Sequence, residues 1–261
     1  MSDLEKPKHP HVPDEEEVEA EPPGADDRFA DVDPLREDYR RSVTQSRSVL
    51  ASLDARNTAL LVIDLQYLDA ADGHGVFAPD WDHGVPKAAQ EYYFSTLREQ
   101  VLPNVARLQA AFRVRGLEVI HSRIQSLTMD GRDRSPAHRR LALHAAPGSK
   151  EAEFLPEVAP LPNEIVINKT ASGVFASTNI DYVLRNLGIQ ALFVAGVYTN
   201  ECVSTAVRDA CDLGYHTTII QDACTTVTPD LQTSTLRVLR DRYARVMRTT
   251  AVLRELERIC S

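Results

Sequence analysis

The chain has 261 residues, 43% of them hydrophobic, enough to bury a full core as one domain with a tail. Its net charge of -9 sits in one place: residues 1–40 hold 14 Asp/Glu and 5 Lys/Arg, and the rest carries 24 of each sign. The acidic balance argues against general nucleic-acid binding, four cysteines without a C-x-x-C pair point to neither a zinc knuckle nor a disulfide framework, and no apolar run approaches a membrane span or a signal-peptide core.

Residues 1–34 are rich in proline and acid and poor in large apolar groups, so burial cannot offset their ordering entropy and a disordered tail is expected. Leu35, Tyr39, Val43, Leu50 and Leu53 are sparse anchors for an arm over 35–56, and a folded domain is expected over 57–261. Leu60 to Ile63 reads as a buried strand ending in Asp64-Leu65-Gln66. The polar and aromatic stretch from Tyr67 to Pro86 is long for a connection inside a compact domain, which points to a wall or cover over whatever Asp64 serves, or to an interface loop. A helix follows from Lys87 to Arg115, with Val101, Val105, Leu108 and Phe112 on one face, then a strand from Leu117 to His121.

Residues 123–150 carry arginines, histidines and few large apolar groups. Guanidinium groups fork onto carboxylate or ureide oxygens, so recognition of a polar substrate is expected from this stretch. Its histidines raise the question of a metal, but they are scattered, and none is expected. Glu164 to Asn168 is a strand running into Lys169-Thr170-Ala171-Ser172, and a helix is predicted from Ser177-Thr178 to Gly188. Ala191 to Val197 is an apolar strand, Glu201 to Leu213 a helix, His216 to Gln221 a strand, Leu231 to Tyr243 a helix and Ala244 to Arg248 a last strand. Six strands alternating with helices predict an α/β protein: a three-layer α/β/α, Rossmann-like fold around a mainly parallel sheet. Gly196 stands alone rather than in G-x-G-x-x-G, so no dinucleotide is expected, nor any other cofactor.

Cys202 falls in the first turn of the helix after Val197, where unpaired backbone N–H groups and the helix dipole favour thiolate over thiol. Cys211 lies about half a rotation round the same helix among apolar residues and reads as core. In a parallel sheet the carboxyl ends of the strands share one edge, where ligands bind, so Asp64, Lys169 and Cys202 are expected to converge there. A nucleophilic cysteine, a carboxylate that takes and returns a proton, and an ammonium that keeps the site electropositive suit hydrolysis of an amide or ureide.

The segments LLVIDLQ, INKTASGVF and AGVYTNECVSTAVRDACDLGY followed by IIQDA resemble the isochorismatase-like cysteine hydrolases, over roughly residues 57–255. The resemblance implies the same roles for Asp64, Lys169 and Cys202. It also implies a cis peptide between Val197 and Tyr198, with the Tyr198 and Cys202 N–H groups aimed at the oxyanion. Nicotinamidases in this family bind a metal through an Asp-x-His and a second His; no Asp-x-His stands at the matching place. Members that cleave the vinyl ether of isochorismate need no covalent nucleophile, so the retained cysteine favours an amidohydrolase of the ureidoacrylate, biuret or N-carbamoylsarcosine type. An isochorismatase proper and a catalytically idle binding member are the alternatives. Gln66, Phe77, Arg123, Ser172 and Asn200 are the candidate substrate contacts. The expected partners are a small-molecule substrate and further copies of the chain as a dimer or tetramer, with no nucleic acid and no membrane, in the cytoplasm.

Overall fold

The structure is a computed structural model that describes residues 57–79 and 84–258, together with Leu35 and Tyr39. The expected tail over 1–34, nearly all of the expected arm over 35–56, Trp81 and Cys260 lie outside the described residues.

Six strands form one sheet: β1 (Thr58–Ile63), β2 (Glu118–Ile124), β3 (Ile165–Lys169), β4 (Ala191–Val197), β5 (His216–Thr225) and β6 (Arg245–Met247), in the order β3-β2-β1-β4-β5-β6. Every pairing is parallel, with Ile63 opposite both Ser122 and Gly196. The two central strands, β1 and β4, are buried throughout and apolar but for Thr58, because both faces are covered. Alternate residues go to opposite sides: Leu60, Val62, Phe193 and Ala195 enter one core cluster, while Ala59, Leu61, Ile63, Leu192 and Val194 enter the other.

The first face is covered by the helical run from Lys87 to Val114, through Tyr93, Leu97, Val105 and Phe112, and by the helix Thr249–Leu256, through Val252 and Leu256. The second is covered by Ile180–Asn186, Ser204–Asp212 and Pro229–Leu239. The long run widens to a π turn over Leu97–Val101, just before Pro103. Proline has no N–H to donate and its ring crowds the carbonyl four residues back, which a wider turn relieves.

Several boundaries differ from the sequence reading. Strand β2 runs on to Ile124 and β5 to Thr225, because burial continues there although polar residues interrupt the apolar run. The stretch after Lys169 holds two short helices, Val174–Ser177 and Ile180–Asn186, rather than one. Thr178 breaks them, its hydroxyl donating back to the Val174 carbonyl and accepting from the Ile180 N–H. In the stretch Tyr67–Pro86 the described residues include a short helix, Tyr67–Ala70, and a 3-10 turn, Gly75–Phe77.

Gly196 fixes how closely β4 approaches β1. Its φ is +120°, and a Cβ there would stand 2.1 Å from the Ile63 carbonyl oxygen. Only glycine permits this contact, one residue before Asp64.

Candidate active site

Asp64 leaves the end of β1 with φ at +55°, its N–H donating to the Ser122 carbonyl at 2.9 Å. Lys169 ends β3, two strands away, a gap of about 10 Å that only a long side chain crosses. Its Nζ lies 2.8 Å from Asp64 Oδ2, donates to Cys202 Sγ at 3.3 Å and to the Ala171 carbonyl at 3.0 Å. Cys202 sits in the π turn Thr199–Val203 that joins β4 to the helix Ser204–Asp212. Thus three positions far apart in sequence meet at the carboxyl edge of the sheet. All three are buried: Lys169 is 0% exposed, Asp64 1% and Cys202 4%.

Burial dominates the protonation of this cluster. It raises the Asp64 carboxyl above its ordinary range, with Lys169, the Cys202 thiol and Ser122 pulling the other way. Burial alone would lower Lys169, but the Asp64 charge and then Cys202 outweigh it, so the ammonium is held charged. The Cys202 thiol is pushed up by burial, and Asp64 and Asp69 add to that while Lys169 opposes it. The resting group is therefore a thiol. The thiolate expected from the helix start is overridden because desolvating a sulfur anion costs more than the dipole and one paired lysine return.

The turn that carries Cys202 is anchored from the other side. The Val197–Tyr198 peptide is cis. The Tyr198 hydroxyl donates to the Asp69 carbonyl at 2.9 Å, and the Tyr93 hydroxyl donates to the same oxygen at 2.7 Å. Phe77 stacks on Tyr93 at 5.2 Å between centroids, and Tyr198 lies 5.2 Å from Tyr93. Phe77, Tyr93 and Tyr198 thus form an aromatic wall beside the cysteine turn, to which the stretch after Asp64 contributes Phe77.

The five candidate substrate contacts are not gathered alike. Gln66 is fully buried and its amide is occupied: Nε2 donates to the Ile124 and Glu151 carbonyls, and Oε1 accepts from the Ile124 N–H. It clamps the end of β2 rather than facing a ligand. Arg123 alternates to the opposite face of the sheet from Ser122, Ile124 and Lys169, where its guanidinium donates to Asn168 Oδ1 and the Ala152 carbonyl. Period-two alternation removes it from the cluster. Phe77 is 4% exposed and belongs to the aromatic wall. Ser172 lies half-buried in the turn after Lys169, and Asn200 half-buried in the cysteine turn, where its Oδ1 accepts from the Thr226 hydroxyl. Cys211, expected in the core, is only half-buried, beside the Arg242 carbonyl.

The sequence reading missed Asp69, Ser122, Tyr93 and His138. Asp69 is 3% exposed, and in its ionised form it raises the pKa of both Lys169 and Cys202. His138, on the short helix Pro136–Arg140, is buried, and burial with the Lys169 and Arg134 charges lowers its pKa to about 4. The two histidines within 123–150, His138 and His144, were the one available signal for His138. Asp69 carried no signal, because a carboxylate beyond the end of a strand, in a polar stretch, reads as loop. Among the described residues no group of three or more His, Cys, Asp and Glu side chains is arranged to hold a metal ion.

Residues 58–251 match the family described as the isochorismatase domain. The ureidoacrylate amidohydrolase RutB of Rhizobium rhizogenes is 28% identical over 211 residues, covering 71% of this chain and 81% of that protein. An isochorismatase family protein from Desulfovibrio vulgaris superposes with a TM-score of 0.61 at 25% identity, over 78% of this chain and all of the other. N-carbamoylsarcosine amidase from Thermoplasma acidophilum shares the fold, with a TM-score of 0.54 at 23% identity over 74% of this chain and 96% of that one.

Proposed function

The chain belongs to the isochorismatase family of hydrolases, and on that footing we propose that it hydrolyses a C–N bond of a small polar amide or ureide through an acyl-thioenzyme. The observation that carries this reading is the contact of one buried ammonium, Lys169, with both the Asp64 carboxylate at 2.8 Å and the Cys202 sulfur at 3.3 Å. A vinyl-ether hydrolysis needs no such sulfur, and a binding module gains nothing from holding a charge pair dry. The RutB-type relative, an amidohydrolase by its name, supports the same choice.

Asp64 takes the Cys202 proton as sulfur attacks the carbonyl carbon, so a separated thiolate never has to exist in the dry site. Its raised proton affinity suits it to that task. The Tyr198 and Cys202 N–H groups receive the oxyanion, each worth roughly 3–4 kcal/mol in the transition state. Protonated Asp64 then delivers its proton to the departing nitrogen, the C–N bond breaks, and ammonia or an amine leaves. Asp64 next deprotonates a water that attacks the thioester, and the acyl acid departs as the thiol is restored. Lys169 remains an ammonium throughout and holds Asp64 toward the sulfur.

The test is a panel of ureides, linear amides and isochorismate, followed by ammonia and pyruvate release. Ammonia release, with an acyl adduct on the Cys202 peptide in quenched samples, is expected. Pyruvate from isochorismate without such an adduct would replace the reading by a vinyl-ether hydrolase.

A further inference from the structure

Asp69 has no part in the chemistry proposed above, yet the residue is 3% exposed and its Oδ2 is enclosed without a hydrogen-bond partner among the described residues. Native interiors leave few such oxygens unpaired, and those that remain call for a ligand or a role. The residue is not loosely placed: its carbonyl is clamped by the Tyr93 and Tyr198 hydroxyls, and Tyr198 directly precedes the turn bearing Cys202. The side chain is near enough that, when ionised, it acts on Cys202 and Lys169, and Asp64 and Glu201 act on it in return. Meanwhile the guanidinium groups of Arg123 and Arg134 donate to the protein's own acceptors.

We propose that Asp69 is a specificity-determining residue of this site, its carboxyl O–H donating to a carbonyl oxygen of an uncharged amide or ureide and disfavouring a carboxylate-bearing one. This rests on the amidohydrolase reading given above. Burial first, then the neighbouring Asp64 and Glu201 carboxyls, hold Asp69 well above the usual carboxylate range against the pull of Lys169. That direction favours the protonated carboxyl, whose O–H is the donor a carbonyl acceptor needs. A substrate carboxylate would add a further anion beside Asp64 and Glu201, with Lys169 already paired to Asp64. Leaving that charge unpaired in a buried site is strongly disfavoured.

The experiment is alkylation of the full chain with iodoacetamide and with iodoacetate, read at the Cys202 peptide by mass spectrometry and referenced to the same two reagents on glutathione. One reagent is a neutral amide and the other its carboxylate counterpart, so a change in Cys202 nucleophilicity cancels from their ratio. Wild type is expected to favour iodoacetamide beyond the glutathione ratio. Asp69→Leu is expected to lose about fivefold of that preference, the worth of one hydrogen bond, while Asp69→Asn retains it because its amide still donates. The preference should vary with pH in wild type, as Asp69 loses its proton, and stay flat in Asp69→Asn. The other groups facing this side chain are Asp64, Lys169, Glu201, Cys202, Tyr93 and Tyr198; because Asp69 acts on Lys169 and Cys202, the slope is read on the iodoacetamide-to-iodoacetate ratio, from which a change in Cys202 nucleophilicity cancels. A preference unmoved in Asp69→Leu overturns the inference; should that variant fail to fold, equal pH slopes in wild type and Asp69→Asn overturn it alone. Wild-type Cys202 inert to both reagents overturns the amidohydrolase reading and this inference with it.

Discussion

Lys169 and Asp64 act on Cys202 with opposite sign. The ammonium lowers the thiol pKa and the carboxylate raises it, both against a larger upward push from burial. Lys169→Met is therefore expected to move the alkylation profile of the Cys202 peptide to higher pH, and Asp64→Asn to lower pH, while both variants lose turnover by a factor on the order of a thousand or more. Site-specific mass spectrometry across a pH series reads both shifts, and identical profiles in the two variants would mean that the three side chains do not share a site. Lys169→Met also strands a buried carboxylate, at a cost of roughly 3–5 kcal/mol. Measuring its urea midpoint alongside the Lys169→Met, Asp64→Asn double variant separates that loss from the chemistry, because the double variant carries no unpaired charge.

At the scale of elements, the site depends on how near β4 can come to the end of β1. Gly196 opposes Ile63 in the ladder with φ at +120°, and a methyl group there would meet the Ile63 carbonyl at 2.1 Å. Neither backbone can yield without moving Asp64 on one side or the Cys202 turn on the other. Gly196→Ala is expected to lower stability by about 2 kcal/mol or more and to reduce turnover beyond what the unfolded fraction explains. Thermal melts paired with initial rates on the folded protein check this; a stable variant with native rates would show that the sheet edge tolerates the displacement. Gln66 works at the same scale. Its buried amide ties β2 to the 150–152 turn, which is why a residue that looked like a substrate contact is a structural clamp.

Stability of the whole molecule should carry the signature of His138. Its folded pKa is depressed, from 6.5 to about 4, by burial first and then by the Lys169 and Arg134 charges. The folded state therefore prefers the neutral ring. The stabilisation is complete above the unfolded value near 6.5 and is lost as pH falls from there toward about 4, because the unfolded chain takes up a proton that the folded chain resists. Denaturant unfolding between pH 7 and pH 4 is expected to show this slope, and His138→Gln to flatten part of it. An unchanged slope in the variant would assign the acid sensitivity elsewhere.

The amino-acid sequence alone determined the alternation of strands and helices, the parallel sheet and the identity of the three residues at its edge. Those are local matters: apolar runs of strand length, helical spacing and chemistry-bearing side chains placed where the runs stop. The motif segments around Asp64, Lys169 and Cys202 also marked the family, which the match over residues 58–251 bears out. Tertiary structure decided what each polar side chain does. Pleat parity sends Arg123 to the face away from Lys169, and hydrogen bonds to two carbonyls withdraw Gln66 from any ligand. Burial turns the expected thiolate of Cys202 into a thiol. Asp69 became visible only when the chain after Asp64 folded back beneath Tyr93 and Tyr198, since desolvation and a missing hydrogen-bond partner are properties of surroundings that come from distant parts of the chain.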